Sequence, residues 1–552
     1  MKNLFFLWIL GYSLINTASA QWNLDTLVRN PISTSGSPEG GIIMLNDPTG
    51  GIYITWLQAD NNGRGTIMAQ RLDNYGNKLW NTTGKVIVPG SIGGYYTRNF
   101  ITPSDSGSFM VVWKRAGDDL CAQRFDSNGD TLFAPYKKLY TPFSGNFYET
   151  YTLPDDSGGA MIIFEESSIL KEMRIDKNGT ALWQSPKTLA LLSSCEGIFP
   201  DRENGALYFY QPGTPIHTCY LQHVDRNGIN KWANPVTISS TGNFLYQVNS
   251  CIEYDQVSGG CFFMYQNTTN YTNYLQYVDT AGNFRWSNGG LPVTNSMYNE
   301  VVPDGQGGVY HSYVIYYSPD TTHAQYVVKH YDQNGTSLWN SQDTIVYSPS
   351  ITSLLHQDED SYHRLVLDNS GGVIITWDEF RNNRLCIYGQ RYNASGNKMW
   401  RNDGFPVITA NNQLGTNGCG IPCDNLNHKL ISFGDSSAVA AWQDSRHGNQ
   451  NNPDIYVALT DGVFSTGIED DFYELSTLNL YPNPAGTELN LEFSKSAYRQ
   501  IQISNTMGEI IFQTSMNDNH LIMDTKDFQT GIYFISIRQG TKYVVVKKFA
   551  KI

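Results

Sequence analysis

The sequence predicts an all-β protein: an eight-bladed β-propeller, with seven blades as the alternative count, followed by a small C-terminal β-sandwich. Three observations predict it. A Gly-containing turn leading into an apolar run that ends in an aromatic recurs eight times. A D-x-x-G-x-x-x-W turn, some copies variant, recurs seven times between those runs. Both patterns stop near Ser465, beyond which shorter extended runs of a different kind begin.

The apolar runs are GGIYITW ending at Trp56, GSFMVVW at Trp113, GGAMIIF at Phe164, GALYFY at Tyr210, GGCFFMY at Tyr265, GGVYHSY at Tyr313, GGVIITW at Trp377 and SSAVAAW at Trp442. Runs such as FMVVW are apolar on both faces, as a sheet packed between two others requires. The second landmark ends at Trp80, Phe133, Trp183, Trp232, Trp286, Trp339 and Trp400. Its Asp or Asn can accept a hydrogen bond from the backbone two residues on, and its Gly tolerates positive φ, so the tetrapeptide is a hairpin turn. Between the landmarks stand Gln-bearing segments such as IMAQRLD and NYLQYVD, and before each apolar run a short segment such as FITPSD or LVLDNS. The repeat therefore reads as four strands, with the tryptophan expected on the fourth. A repeat of roughly 50 to 60 residues suits a propeller blade, whereas an independent β-sandwich needs nearer 100.

The eighth repeat lacks a Trp-bearing strand after Asp461-Gly462. The segment Gln21-Trp22-Asn23 followed by PIST resembles LWNTTGKVIV, so Trp22 is expected to supply the missing strand and close the ring from the other end of the chain. The Asp-Gly-Trp turns also resemble, loosely, the tryptophan repeats of eight-bladed quinoprotein dehydrogenases and related outer-membrane scaffold propellers. Those repeats carry one more residue between Asp and Gly, and the adjacent cysteine pair of the quinone enzymes is missing here. The resemblance supports blade architecture and not quinone chemistry.

Residues 1–20 read as a signal peptide: Lys2 is basic, Leu4 to Ile15 is mostly apolar, and Ala18-Ser19-Ala20 is a small-residue cleavage pattern, with cleavage expected between Ala20 and Gln21. The apolar stretch is shorter than the ~18 residues a membrane span needs, and no later stretch reaches that length, so the mature chain is expected to hold no transmembrane segment. The formal net charge of -14 opposes binding to nucleic acid or to an anionic membrane surface. Eight cysteines in an exported chain permit disulfides, with Cys251–Cys261, Cys195–Cys219 and Cys419–Cys423 as the expected pairs. Cys419, Cys423 and His428 lack the fourth ligand and the spacing of a zinc motif, and no metal or cofactor is expected.

Catalytic motifs are not found: no H-E-x-x-H, G-x-S-x-G, P-loop or calcium loop occurs. His311, in an apolar run, reads as a satisfied core residue, and the acidic pairs Asp118-Asp119, Glu165-Glu166 and Asp378-Glu379 read as solvated loop charges. A Trp, Asp and Arg theme with variable spacing, at Trp377, Asp378 and Arg381 and again at Trp442, Asp444 and Arg446, reads as a salt bridge fixing a loop. Turns between first and second and between third and fourth strands are short and uniform, and must share one face. The variable connections share the other, where Tyr95, Tyr96, Phe147, Tyr148 and Arg381 are the candidate ligand contacts. The reading is a non-enzymatic binding or adhesion protein for a polymer or protein ligand, the alternative being a hydrolase or lyase acting on extracellular polysaccharide.

Residues 21–465 form the expected propeller, 466–477 an acidic linker and 478–552 a second domain. In the last, LNLYPNP, ELNLEF, YRQIQIS, GEIIFQT, HLIMD, GIYFISIR and KYVVVKKF are extended runs between Gly, Asn and Asp turns. Tyr481-Pro482-Asn483-Pro484, Met507-Gly508-Glu509, Gly531-Ile532-Tyr533 and Lys547-Lys548 occur in the order of four family motifs. The segment closely resembles the type A C-terminal sorting domain of type IX secretion cargo. That resemblance implies the type IX machinery as partner, export through the periplasm and across the outer membrane in a folded state, removal of the domain, and release or attachment at the cell surface.

Overall fold

A computed structural model describes Trp22, Asn23, residues 29–462 and residues 479–552, apart from internal stretches of which the longest are 348–362 and 410–427. Ala20, Gln21, Cys251, Cys419 and Cys423 lie outside the described residues. The chain divides into a larger unit, Leu27–Gly462 with Trp22 and Asn23, and a smaller one, essentially Val463–Ile552.

Among its described residues the larger unit is built of strands, with a single 3-10 turn at Asp105–Gly107. They form eight separate antiparallel sheets, seven of four strands and one of five. Sheet 1 runs Glu39–Asn46, Ile52–Ala59, Arg64–Leu72, Lys85–Gly93, each strand paired with the next. The first strands of sheets 2 to 8 are Phe100–Pro103, Phe147–Pro154, Ser193–Pro200, Ile252–Tyr254, Ser296–Pro303, His363–Leu367 and Lys429–Ser432. Each first strand touches the first strand of the following sheet, and that of sheet 8 touches that of sheet 1. The fourth strand of sheet 8 is Asn30–Ser33, paired with Asp454–Thr460 through Asn30 opposite Val457 and Pro31 opposite Tyr456. The N-terminal segment thus completes the sheet made by residues 429–460.

The apolar runs are buried because each sheet has a neighbour on both faces. Met110 and Val112 of sheet 2 pack against Ile162 and Phe164 of sheet 3, while Phe109 and Val111 pack against Tyr53 and Ile67 of sheet 1. Trp56, Trp377 and Trp442 are fully buried. Such contacts stabilise the unit by about 1.5–3 kcal/mol per large side chain removed from water.

The sheets have the four strands expected, but the tryptophan of the turn lies in the bend before the fourth strand rather than on it, which corrects its placement. In sheet 1 a single bridge, Leu72 to Lys78, closes the turn, and the fourth strand begins only at Lys85. The glutamine of the third strand explains this. The Gln70 Nε2 donates to the Asn81 carbonyl at 2.6 Å, and its Oε1 accepts from the Trp80 amide at 3.2 Å. The connection is thereby pinned to the third strand, and the indole reaches the following sheet, where Trp80 Nε1 donates to the Ser127 carbonyl at 3.2 Å. Trp232, Trp286 and Trp339 donate in the same way to Thr280, Gln333 and Ala394 at 2.9, 3.2 and 2.9 Å. Trp22 repeats the contact across the ends of the unit, donating to the Asn74 carbonyl at 3.1 Å.

The turns receiving these indoles need their glycines. At Gly76, with φ of 83°, a Cβ would come within 2.7 Å of the Trp22 ring. Asp73 holds the same turn by accepting from the amides of Tyr75 and Asn77 at 2.8 and 2.9 Å. At this end of the sheets, aspartates of the first turns pair with residues of the third strands, as Asp47 with Arg71 at 2.6 Å and Asp368 with Arg391 at 2.7 Å.

One expected disulfide is corrected. Cys195 lies opposite Tyr210, which lies opposite Tyr220 beside Cys219, so a whole strand separates the two cysteines. Two strand spacings, about 9–10 Å, exceed the reach of a disulfide. The Cys261 thiol is free and buried, while its expected partner Cys251 lies outside the described residues.

The smaller unit has a three-stranded sheet of Asn479–Tyr481, Glu488–Glu492 and His520–Asp524. Its four-stranded sheet is ordered Ile510–Met516, Arg499–Asn505, Gly531–Gln539, Lys542–Lys551. Leu489, Leu491 and Met523 of the first share one core with Ile501, Ile503, Ile535 and Ile537 of the second.

Candidate functional site

Antiparallel order puts the second-to-third connections and the links between sheets at one end of the larger unit. There the fourth strand of sheet 2 brings Tyr140 beside Glu166 and Lys171 of sheet 3. Tyr140 donates its hydroxyl proton to Glu166 Oε2 at 2.8 Å; Lys171 pairs with the same carboxylate and donates to the Tyr140 oxygen at 3.2 Å. Burial and the hydrogen bond to Glu166 push the Tyr140 phenol up. For Lys171, burial alone would lower the ammonium, but the bonds to Glu166 and Tyr140 outweigh it and hold the charge.

On the same sheet edge Thr141 donates to Asp119 at 2.7 Å, which is the main reason that carboxyl titrates below its ordinary range, and Lys138 lies 3.4 Å away. Below them Tyr136, 38 % exposed, meets the edge of Trp113 at 5.5 Å, with the Arg115 guanidinium over its ring at 5.8 Å. The two clusters use opposite faces of sheet 2: the exposed Tyr136 ring lies with Trp113 and Arg115 on the side of sheet 1, and Tyr140 with Glu166 and Lys171 on the side of sheet 3. Glu166 is buried and ion-paired, which corrects its reading as a solvated loop charge.

Of the predicted contacts, Phe147 and Tyr148 begin the first strand of sheet 3, opposite Glu166 and Glu165, so their backbone adjoins this grouping. Their side chains, and that of Arg381, lie outside the described residues, as do Tyr95 and Tyr96 altogether. Arg381 ends the strand Val373–Arg381 opposite Arg384 on sheet 7, away from sheets 2 and 3. Tyr140 and Lys171 escaped sequence reasoning because they sit on different repeats, and only the strand ends bring them together.

The histidines form a second, buried set. His311 is 3.0 Å from Asn299 Oδ1, His363 of sheet 7 is 2.9 Å from Ser312 Oγ of sheet 6, and His428 beside sheet 8 is 2.9 Å from Thr376 Oγ1 of sheet 7. Burial pushes His311 and His363 down to about 3, so both are neutral hydrogen-bonding groups. The partner found for Asp378 is His428, whose Nδ1 is 2.8 Å away. In the other copy of the theme, Trp442 Nε1 donates to Asp444 at 3.0 Å. Arg364 of sheet 7 donates to Glu300 of sheet 6 at 2.9 Å, and burial together with the Glu300 charge pushes Glu253 of sheet 5 up to about 8. Among the described residues no group of three or more His, Cys, Asp or Glu is placed to hold a metal ion.

In the smaller unit, the motifs scattered in sequence converge. Asn483 Oδ1 accepts from the Ala550 amide at 3.0 Å, and the Ala485 amide donates to the Ala550 carbonyl at 2.7 Å. Gly531 stands opposite Lys551, and Tyr533 stacks on Phe549 at 5.5 Å. Lys547 and Lys548 face Ile535 and Phe534, while Gly508 lies outside the described residues.

Residues 479–551 match the family described as the secretion system C-terminal sorting domain. The smaller unit is a type IX sorting domain. A sorting domain of this kind implies an exported protein, secreted or at the outer surface, that engages the type IX machinery. Among the described residues no helix is long and apolar enough to cross a membrane. A stretch of 85 residues, 15% of the chain, is 25% identical to ulvan lyase NLR42 of Nonlabens ulvanivorans and spans 16% of that protein. Solved structures with likeness include prolyl oligopeptidase B from Galerina marginata, at TM-score 0.37 and 9% identity over 64% of this chain and 46% of that one. Puromycin hydrolase gives 0.37 and 13% over 77% and 61%. PorZ, a surface component of the type IX secretion system of Porphyromonas gingivalis, gives 0.19 and 12% over 91% and 74%. The chain spans about half the length of the prolyl oligopeptidase and a sixth of the lyase.

Proposed function

We propose that the protein is a secreted or surface-attached binding protein, an eight-bladed β-propeller carried out of the cell by its C-terminal sorting domain. The match over residues 479–551 carries the export route. The cyclic contact of first strands and the N-terminal strand in sheet 8 support eight blades, and the shared core of the two small sheets supports a sandwich. The export reading includes a signal peptide at 1–20 and passage through the periplasm, with a linker at 466–477.

The ligand is a polymer, such as a glycan, or a protein, held on the face of the variable connections. Tyr140, Asp119 and Lys171 support this face with groups that can accept or donate hydrogen bonds, and Tyr136, on the same edge strand region, adds an exposed ring that can stack on a sugar. Phe147 and Tyr148 adjoin it; Tyr95, Tyr96 and Arg381 are proposed further contacts. A second reading, a hydrolase or lyase acting on extracellular polysaccharide, is favoured by Glu253, a carboxyl held near neutrality beside Glu300. A glycan array and a polysaccharide depolymerisation screen on the mature protein separate the two. Binding lost in Tyr136→Ala and Lys171→Met without any depolymerisation supports the first. Depolymerisation abolished by Glu253→Gln supports the second.

A further inference from the structure

The four-stranded sheet of the sorting domain has an outer face unlike the rest of the protein. Register places Ile510, Ser504, Phe534 and Lys548 in one row across its four strands, and Ile532 opposite Ala550 in a row on the same face. Alternation sends their neighbours Ile503, Ile535 and Phe549 into the core, so this row points away from it. Ile510, Ile532 and Phe534 are 53, 44 and 37 % exposed. A contiguous apolar group of this kind on a small unit marks an interaction surface.

Charge distinguishes the sheet further, and Lys548 stands in the exposed row itself. The four strands carry Arg499, Arg538, Lys542, Lys547, Lys548 and Lys551 and no acidic residue, whereas the other sheet carries Glu488, Glu492 and Asp524 and no Lys or Arg. In a chain of net charge -14, basic residues are thus gathered on the sheet that exposes isoleucine and phenylalanine.

We propose that this face is where the sorting domain is read, by an acidic, apolar-lined groove on a protein of the type IX export apparatus. The proposal rests on the sorting reading of residues 479–551. Phe534 and Ile532 would fill the groove and Lys548 would meet its acidic rim, in the usual arrangement of an apolar anchor flanked by charges that steer and orient.

The test uses the full-length protein in the producing bacterium, comparing the fraction outside the cell with the fraction in the periplasm. Phe534→Asp with Ile532→Asp is expected to reduce export about tenfold or more, the effect of losing one anchoring contact. Lys548→Glu should reduce it, Lys548→Arg should not, and Ile522→Asp, exposed on the other sheet, should be neutral. Equal melting temperatures of the purified variants exclude misfolding, and Phe534→Ser, which extends the polar character of Ser504, serves if the aspartates do not fold. Wild-type export of the Phe534 variants overturns the proposal. If deletion of residues 478–552 still blocks export, the sorting reading stands without it. If that deletion exports normally, the sorting reading itself has failed. Binding of the full-length protein to phosphatidylglycerol vesicles, abolished by Lys548→Glu while export stays normal, would also overturn it, in favour of a lipid surface.

Discussion

Replacing Trp22 by alanine tests whether the two ends of the larger unit hold each other. Trp22 is 6% exposed, meets Phe433 of sheet 8 edge-on at 5.9 Å, and donates to the Asn74 carbonyl of sheet 1 at 3.1 Å. The ring also covers Gly76, whose turn leaves no room for a side chain beneath it. Truncating a buried tryptophan costs about 3–5 kcal/mol, including the space left behind. With an unfolding entropy of about 2.1 cal/mol/K per residue, some 430 residues give about 0.9 kcal/mol/K, so the melting temperature should fall by about 3–6 °C. Differential scanning calorimetry of the mature protein reads this directly. The Trp339→Ala change, which removes the same type of contact within the chain, is the internal standard. A Trp22 variant melting within about 1 °C of the parent, while Trp339→Ala falls by several, would show that Asn30–Ser33 closes the sheet without help from the indole, and the reasoning from docking would fail.

Deleting residues 478–552 should leave the protein in the periplasm, as fractionation and immunoblotting would show; its appearance outside the cell would refute the sorting role. Glu253, whose carboxyl is raised to about 8 in the folded state, binds a proton between its ordinary value and 8 that the unfolded chain has released, so stability declines as pH rises through that window. Glu253→Gln should flatten this decline and raise the melting temperature at pH 8 more than at pH 5; equal gains at both would refute it. Gln276→Ala should destabilise by about 2–4 kcal/mol in denaturant titration, since it strips partners from several backbone groups at once. The side chain donates to the Trp286 carbonyl at 2.8 Å and accepts from the Tyr277 and Trp286 amides at 2.9 and 3.2 Å. A change below about 0.5 kcal/mol would mean that the connection holds without it.

What the sequence made legible follows from the range of the forces involved. Turn chemistry is local: an Asp followed by Gly can satisfy its own backbone wherever it stands, and Asp73 does so as its spacing requires. The apolar runs were legible because a sheet packed on both faces leaves no polar alternation to misread. The tryptophan was placed wrongly because its position is set by Gln70, eleven residues from the carbonyl it binds; the glutamine recurs with the repeat, but the repeat does not say where its side chain bonds. Glu166 was misread for a similar reason. A carboxylate at a strand end looks like a solvated charge until the fourth strand of the preceding sheet brings Tyr140 over it, and that approach is a property of neighbouring repeats rather than of either one. Among the residues that join adjacent sheets the indoles keep to the repeat, while the histidines depart from it: His363 and His428 meet Ser312 and Thr376 at sheets 6 to 8, whereas the same place in sheet 8 itself is filled by Ala441. Such differences give these interfaces partners of their own, which the repeat pattern by itself does not specify.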